Sequence, residues 1–326
     1  MDEHGLIRTH FAPLAGPGGL QLLDDAAQMT PPAGHDLVLT MDSFVEGVHF
    51  PSGHYGGDTA ERLMRTNLSD LAAKGARPIG YLLSVAWPKS VETKWMAGFA
   101  VGLRDIQQSF DFHLLGGDTV STDGPMVVSA TLIGAVPTGE MVQRNGAAAG
   151  DDIWVTGCLG DAKLGCDIAL SKTIAPKPAA DDAWAFEAAY WRPDIHLFIR
   201  KVLREKASAA ADVSDGILRD AGHICRASHV AMSLNFDALP LSNGAELWAE
   251  EQDDVLKAKQ ALFGFGDDYQ ILFTSAPEHR QSWFESAHKT GLKLSLIGNV
   301  TSGEGVRCLD VNGEDMDWSD KGYTHF

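Results

Sequence analysis

The stretch ADVSDGILRDAGHIC, residues 211–225, sets Asp212, Asp215 and Asp220 among small residues, just ahead of an apolar helical run. Carboxylates this close repel one another, and something must offset that repulsion. Further aspartates stand at similar places: Asp24-Asp25 in LLDDAA, Asp42 in LTMDSF, Asp70 in NLSD, Asp118 in LLGGDT and Asp267-Asp268 in GFGDDYQ. Any one alone has a structural explanation, because an Asp at a helix start or strand end caps backbone N–H groups and suits the helix dipole. Together they read as a set of hard oxygen donors. Mg2+ takes such ligands, using a few carboxylates plus substrate phosphates. Gly116-Gly117 ahead of Asp118 offers a backbone that a ligand can approach closely. The chemistry implied is metal-assisted handling of phosphate, with the cations offsetting the carboxylate repulsion.

Composition narrows the partners. The 326 residues carry 26 basic against 44 acidic side chains, a net charge of −18, which opposes nucleic-acid or anionic-membrane binding. An anionic substrate stays open if metal ions supply the positive charge. There is no Walker A loop, no G-x-G-x-x-G and no protein-kinase H-R-D or D-F-G, so bound ATP needs another cradle. The four cysteines, Cys158, Cys166, Cys225 and Cys308, have no zinc-finger spacing and read as reduced, packed thiols of a cytoplasmic protein. The acidic N-terminus has no signal-peptide apolar region, and the longest apolar run, IGYLLSVAW, is too short to span a bilayer.

Strands and helices must position those carboxylates. Alternating or β-branched runs predict strands at 36–44, 77–88, 126–136, 151–157, 269–275 and 292–300. Helical spacing is clear over 58–74 (Ala60, Leu63, Met64, Leu68, Leu71, Ala72), over 91–110 (Trp95, Phe99, Gly102, Leu103, Ile106) and over 216–228 (Ile217, Ala221, Ile224, Cys225, Ser228). The mixture gives an α/β or α+β class, and the length suggests two domains. Turn signals in PTGEMVQRNGAAAGDD, residues 137–152, place the boundary so that the domains span 1–140 and 141–326. NLSDLAAKGA and DVSDGILRDAG echo one another, each setting Ser-Asp beside an apolar helical run.

The motifs DDAA, MDSFVEGVHF, NLSDLAAKGARP, LLGGDT, VTGCLGDAKLG, DVSDGILRDAGHI, GFGDDYQILFT and KGYTHF follow one another across nearly the whole chain. In this the sequence resembles the thiamine-monophosphate kinases, within the superfamily of aminoimidazole ribonucleotide synthetase. The resemblance implies a two-domain fold in which the N-terminal sheet forms a barrel with that of a second copy, making a homodimer, while a C-terminal α/β domain completes an ATP site between the halves. It implies Mg2+-dependent, in-line transfer of the ATP γ-phosphate to thiamine monophosphate, with no phosphoenzyme. By the same resemblance Asp25, Thr40, Met41, Asp42, Asp70, Asp118, Asp212 and Asp215 hold metal. Gly117, Asp118, Arg144 and Ser214 contact ATP, and His49, Asp267 and Tyr323 face the acceptor substrate.

The sequence departs from the family pattern at four places. Leu23 replaces Gly, Met41 replaces a hydroxyl residue, and where the family has Gly-Glu-Asp-Tyr-Glu this chain has Gly266-Asp267-Asp268-Tyr269-Gln270, with Asp267 one methylene shorter than Glu and Gln270 in place of the second Glu. These bear on metal number and fine substrate contacts more than on reaction class. Two other readings are another ATP-dependent enzyme of the superfamily, acting on a different small phosphate or acyl acceptor, and a non-catalytic Mg2+/nucleotide-binding paralogue. A degenerate copy should have lost several of the metal aspartates, and all six are present.

Overall fold

A computed structural model describes residues 3–175, 177–318 and 322. Two compact units result: one holds the chain up to Leu71 together with Ala76–Met141, the other holds Ala72–Gly75 and the chain from Val142 onward.

After a short N-terminal helix, α1 (Glu3–Leu6), the first unit contains β1 (His35–Val45), α2 (Gly57–Ala73), β2 (Arg77–Pro88), α3 (Thr93–Phe110), β3 (His113–Thr122) and β4 (Val127–Pro137). The sheet order is β1-β4-β2-β3, antiparallel except for the β2–β3 pair. One sheet face is apolar and buried, with Phe44, Val128, Ala130, Leu132, Tyr81, Leu83 and Val85. The expected α2 stripe of Ala60, Leu63, Met64, Leu68, Leu71 and Ala72 is buried throughout, which is what the 3.6-residue period requires. The α3 stripe is buried at Phe99, Gly102, Leu103 and Ile106 but not at Trp95, which is part-exposed and meets Tyr55 edge-on. The opposite sheet face keeps Leu37, Leu39, Met41, Leu82, Val120 and Val127 exposed.

The second unit runs β5 (Asp152–Thr156), α4 (Asp161–Ala169), α5 (Ala180–Trp191), α6 (Arg200–Lys206), β6 (Ala209–Asp212), α7 (Ile217–Ser228), β7 (Ala231–Asn235), α8 (Asn243–Glu250), α9 (Val255–Phe265), β8 (Ile271–Ser275), α10 (Arg280–Thr290), β9 (Leu294–Thr301) and β10 (Gly305–Leu309). Its six-stranded sheet has the order β10-β7-β9-β5-β8-β6 and is mixed, with only β10–β7 parallel among its paired strands. The central strands β5 and β8 are buried at every position, and both faces are covered. Ile153, Val155, Ile217, Ala221, Ile224 and Leu272 belong to one core, while Trp154, Phe273 and Trp283 stack on the other side.

Three expectations about local structure change. The strand over 113–122, which carries Gly116-Gly117-Asp118, was not predicted; its glycines weaken the β signal. Asp42 and Asp118 sit inside strands, and Asp70 in the last turn of a helix, so among these aspartates only Asp212 ends a strand. The Ser-Asp echo is not structural either, because Ser69-Asp70 lies within α2 whereas Ser214-Asp215 precedes α7.

Candidate active site

In the first unit, two residues of β1 meet two residues of α2. Thr40 donates through Oγ1 to Asp70 Oδ2 at 2.5 Å, and Thr66 donates through Oγ1 to Asp42 Oδ2 at 2.9 Å. The pairing works because the repeats match: two residues along a strand span about 6.6 Å and four along a helix about 6 Å. Each carboxylate therefore receives a hydroxyl from the opposite element. Thr66 also lies 2.9 Å from the Leu63 carbonyl and shares its one proton between the two acceptors. Burial, then the charge of Asp70, push the Asp42 carboxyl up to about 6, against the pull of the Thr66 hydrogen bond. Two carboxylates held side by side in a half-buried place fit a hard divalent cation, which would relieve both costs.

Met41 stands on the opposite face of β1 and is 60% exposed. It can act beside Thr40 and Asp42 only through its backbone. Asp118 also falls on that outer face. The register Asp42–Ala130–Leu83–Gly117 crosses the sheet on the inner side, whereas Asp118 aligns with Ser84, Ser129 and Ser43. The Ser43 and Ser129 hydroxyls, 2.7 Å apart, mark this outer row. Asp118 instead lines a cleft of about 430 Å³ with Asp24, Asp25 and Gly117. Asp25 is exposed, and its N–H donates to Asp24 Oδ1 at 2.8 Å. Gly117 has a reason the sequence did not suggest: a Cβ there would lie 1.9 Å from the Leu83 carbonyl oxygen, so the neighbouring strand already excludes a side chain.

His49 sits in the loop after β1. Its Nδ1 accepts the Val45 N–H at 3.0 Å, which places the proton of the neutral ring on Nε2, and its ring stacks on Phe44 at 5.7 Å. Glu46, which sequence reasoning passed over, ties this loop. Its carboxylate accepts from Gly53 N–H (3.2 Å), Tyr55 OH (2.8 Å) and Met126 N–H (2.9 Å). Burial alone would raise its pKa, but these donors outweigh it and hold the group below the usual range.

In the second unit, loops from the ends of β5, β6 and β8 converge. The segment Gly266–Tyr269 clamps onto the turn after β6: Asp267 N–H donates to Ser214 O and Tyr269 N–H to Val213 O, each at 2.8 Å. Asp267 (φ 60°) and Tyr269 (φ 52°) are both left-handed, a strained backbone for non-glycine residues. Gly266 (φ 86°) could not carry a side chain, since a Cβ would meet the Ser214 carbonyl at 2.2 Å. Asp267 Oδ1 accepts the Tyr269 hydroxyl at 3.0 Å. This clamp brings Asp212, Ser214, Asp215 and Asp267 into one short region, with Asp212 buried and Asp215 paired to Arg219 at 3.3 Å.

Two neighbouring aspartates do other work. Asp220, inside α7, reaches back so that Oδ2 accepts both the Ser214 and Asp215 N–H groups at 3.0 Å. Burial pushes its carboxyl up to about 7, partly countered by those N–H groups and by Arg144. Arg144 thus stands near the start of α7, and its charge, after burial, also depresses the His223 pKa. Asp215, Asp220 and His223 bring ligand atoms within 4.8 Å of one another, but Asp220 is committed to backbone and His223 Nδ1 lies 2.8 Å from Arg226 Nη2. Asp268 is buried, which holds its carboxyl well above the usual range, and its Oδ1 accepts the Gly160 N–H at 2.8 Å. Tyr323 lies outside the described residues; its neighbour Gly322 abuts Asp215, whose carbonyl would be 2.2 Å from an added Cβ.

Residues 23–136 match the family model described as AIR synthase related protein, N-terminal domain, and residues 149–310 match its C-terminal domain. The thiamine-monophosphate kinase of Caulobacter vibrioides is 41% identical over 95% of this chain and 86% of that protein. The crystal structure of the thiamine-monophosphate kinase from Stenotrophomonas maltophilia K279a superposes with a TM-score of 0.80 at 35% identity, covering 90% of this chain and 91% of that one. AaThiL complexed with AMPPCP and TMP superposes with a TM-score of 0.78 at 29% identity, covering 99% and 97%. The chain belongs to the thiamine-monophosphate kinase family of AIR synthase related proteins.

Two outcomes follow from this geometry. Thr66→Val keeps the shape but removes the hydroxyl from Asp42. A loss of about 1 kcal/mol should raise the Mg2+ concentration for half-maximal binding about five-fold, measured by calorimetry at pH 7, with unchanged circular dichroism. Because the Glu46 pKa is depressed, its contribution to stability is present above about pH 4.5 and fades as pH falls through the folded value. Glu46→Gln should therefore lower Tm at pH 7, and the gap from wild type should shrink only as the pH drops below about 4.5; a constant gap there would contradict the assignment.

Proposed function

We propose that this chain transfers the γ-phosphoryl group of ATP to thiamine monophosphate, giving thiamine diphosphate and ADP. The observation that carries this reading is its match along 99% of its length to AaThiL complexed with AMPPCP and TMP, the first an ATP analogue. A phosphate oxygen of the acceptor attacks the γ-phosphorus in line as the bond to the β–γ bridging oxygen breaks. The acceptor is already ionised near neutral pH, so positioning and charge neutralisation replace a strong general base. Asp42 and Asp70, with Thr40 beside them, and Asp25, Asp118, Asp212 and Asp215 would hold Mg2+, which supplies the positive charge that lets two phosphorylated molecules approach. Arg144, Ser214 and Gly117 face ATP in this reading. His49, Asp267 and Tyr323 face the acceptor, and the Tyr269 hydroxyl fixes the Asp267 carboxylate. Met41 contributes through its backbone.

The exposed Leu37, Leu39, Met41, Leu82, Val120 and Val127 on the outer face of the four-stranded sheet support a homodimer formed through that face. No helix among the described residues is long and apolar enough to cross a membrane, and the site of action we propose is the cytoplasm.

Purified protein given ATP, Mg2+ and thiamine monophosphate should yield thiamine diphosphate by mass spectrometry; its absence ends the assignment. Asp42→Asn and Asp212→Asn should each lower turnover by at least about a hundred-fold with Tm little changed. Leu39→Glu should shift the protein from dimer to monomer in light scattering, and a wild-type mass that is already monomeric would refute the interface.

A further inference from the structure

The turn between β6 and α7 carries Ser214 and Asp215, and its backbone is held from two directions. The Gly266–Tyr269 segment donates the Asp267 N–H to the Ser214 carbonyl and the Tyr269 N–H to the Val213 carbonyl, each at 2.8 Å. Asp220 supplies the second hold, its Oδ2 accepting the Ser214 and Asp215 N–H groups, both at 3.0 Å. The residue is 1% exposed, which leaves water little access to these bonds.

Ordinary helix capping does not account for the Asp220 contact. A capping side chain stands at the helix start and accepts N–H groups of the first turn. Asp220 stands inside α7, about one turn past Gly216 at the helix start, and reaches back beyond that glycine to donors ahead of the helix. One oxygen that receives two consecutive N–H groups orients two successive peptide planes. Those planes set both backbone dihedrals of Ser214, the residue between them. The bonds also decide what the turn can offer. Free N–H groups at a helix start draw anions, but here Asp220 takes both. The Ser214 carbonyl is engaged as well, so its hydroxyl is the group left for a ligand. The Asp215 carboxylate is left too, and it already faces a cation, the Arg219 guanidinium at 3.3 Å.

We propose that Asp220 is a positioning residue for phosphoryl transfer, acting through the main chain of Ser214 and Asp215 to aim the Ser214 hydroxyl and the Asp215 carboxylate at the Mg2+-bound nucleotide. The inference rests on the proposed function, in which Ser214 contacts ATP and Asp215 holds Mg2+. A loop held only by the Gly266–Tyr269 segment would fix Val213 and the Ser214 carbonyl and leave Asp215 free to turn. The buried carboxylate of α7 removes that freedom.

Calorimetric titration of the full chain with AMPPCP and Mg2+ tests this. Asp220→Leu keeps the bulk and removes the acceptor; it should weaken binding about ten- to a hundred-fold, the usual cost of losing a residue that orients a metal ligand. Asp220→Asn keeps an accepting oxygen and should stay within about three-fold of wild type. In a Ser214→Ala/Asp215→Ala background, Asp220→Leu should weaken binding no further, because nothing remains for it to position, whereas a merely structural role would repeat its full penalty there. If that double variant binds as wild type does, the reading of Ser214 and Asp215 is wrong and the proposal falls with it. If the double variant binds weakly while Asp220→Leu binds as wild type does, the positioning role alone is overturned. Should Asp220→Leu not fold, Asp220→Ala takes its place with amide exchange as a second readout. Faster exchange at Ser214 and Asp215 together with weaker binding supports the role; unchanged exchange, or wild-type binding, overturns it.

Discussion

Like charges gathered in a small volume are the constraint on which the described arrangement depends. In the first unit Asp42 and Asp70 are close enough for one to raise the pKa of the other, and backbone geometry prevents them from moving apart. Asp42 is fixed by the alternation of β1 and Asp70 by the last turn of α2; the crossed threonine hydroxyls tie each carboxylate to the other element. A protein that keeps such a pair stores an electrostatic cost, and under the proposed function a divalent cation would offset it. The surrounding core, from Leu63 and Leu68 to Ala130 and Leu83, makes the strand and helix rigid enough to bear it.

The second unit shows the same residue type put to three different uses. Asp220 satisfies the first N–H groups of its helix region, Asp268 holds the loop that starts α4, and Asp212, Asp215 and Asp267 lie along the clamp between 213–216 and 266–269. The clamp is held by backbone hydrogen bonds and by the left-handed Asp267 and Tyr269, so Asp267 is placed by its main chain rather than by side-chain packing. That distinction bears on its being shorter than Glu. The main-chain position is set by the backbone bonds, the shorter side chain ends its carboxylate nearer that backbone than a Glu would, and the hydroxyl of Tyr269 gives it a fixed neighbour there.

Much of the molecule was legible from residue order. The burial periods of α2 and α7 and the alternation of β1 and β4 are local signals, and the structure keeps them. The strand β3 was not legible, because two glycines replace the β-branched residues that mark a strand, and the reason for Gly117 lies across the sheet in the Leu83 carbonyl. Thr66 and Glu46 escaped notice for a similar reason. Each is an ordinary polar residue until folding brings a partner from far along the chain, Asp42 for one and Met126 for the other.

By itself, residue order determined the kinds of chemistry available: many carboxylates, no phosphate-binding lysine loop, and a motif series shared with one kinase family. It also determined which runs alternate or repeat every 3.6 residues, since both depend only on neighbours. Tertiary structure alone decided which aspartates face which. A strand residue points to one side or the other according to register, and register is set by pairing with distant strands. Hence Asp42 turns inward beside Thr66, Asp118 turns outward beside Ser84, and the adjacent pair Asp267 and Asp268 part to opposite sides of one short segment.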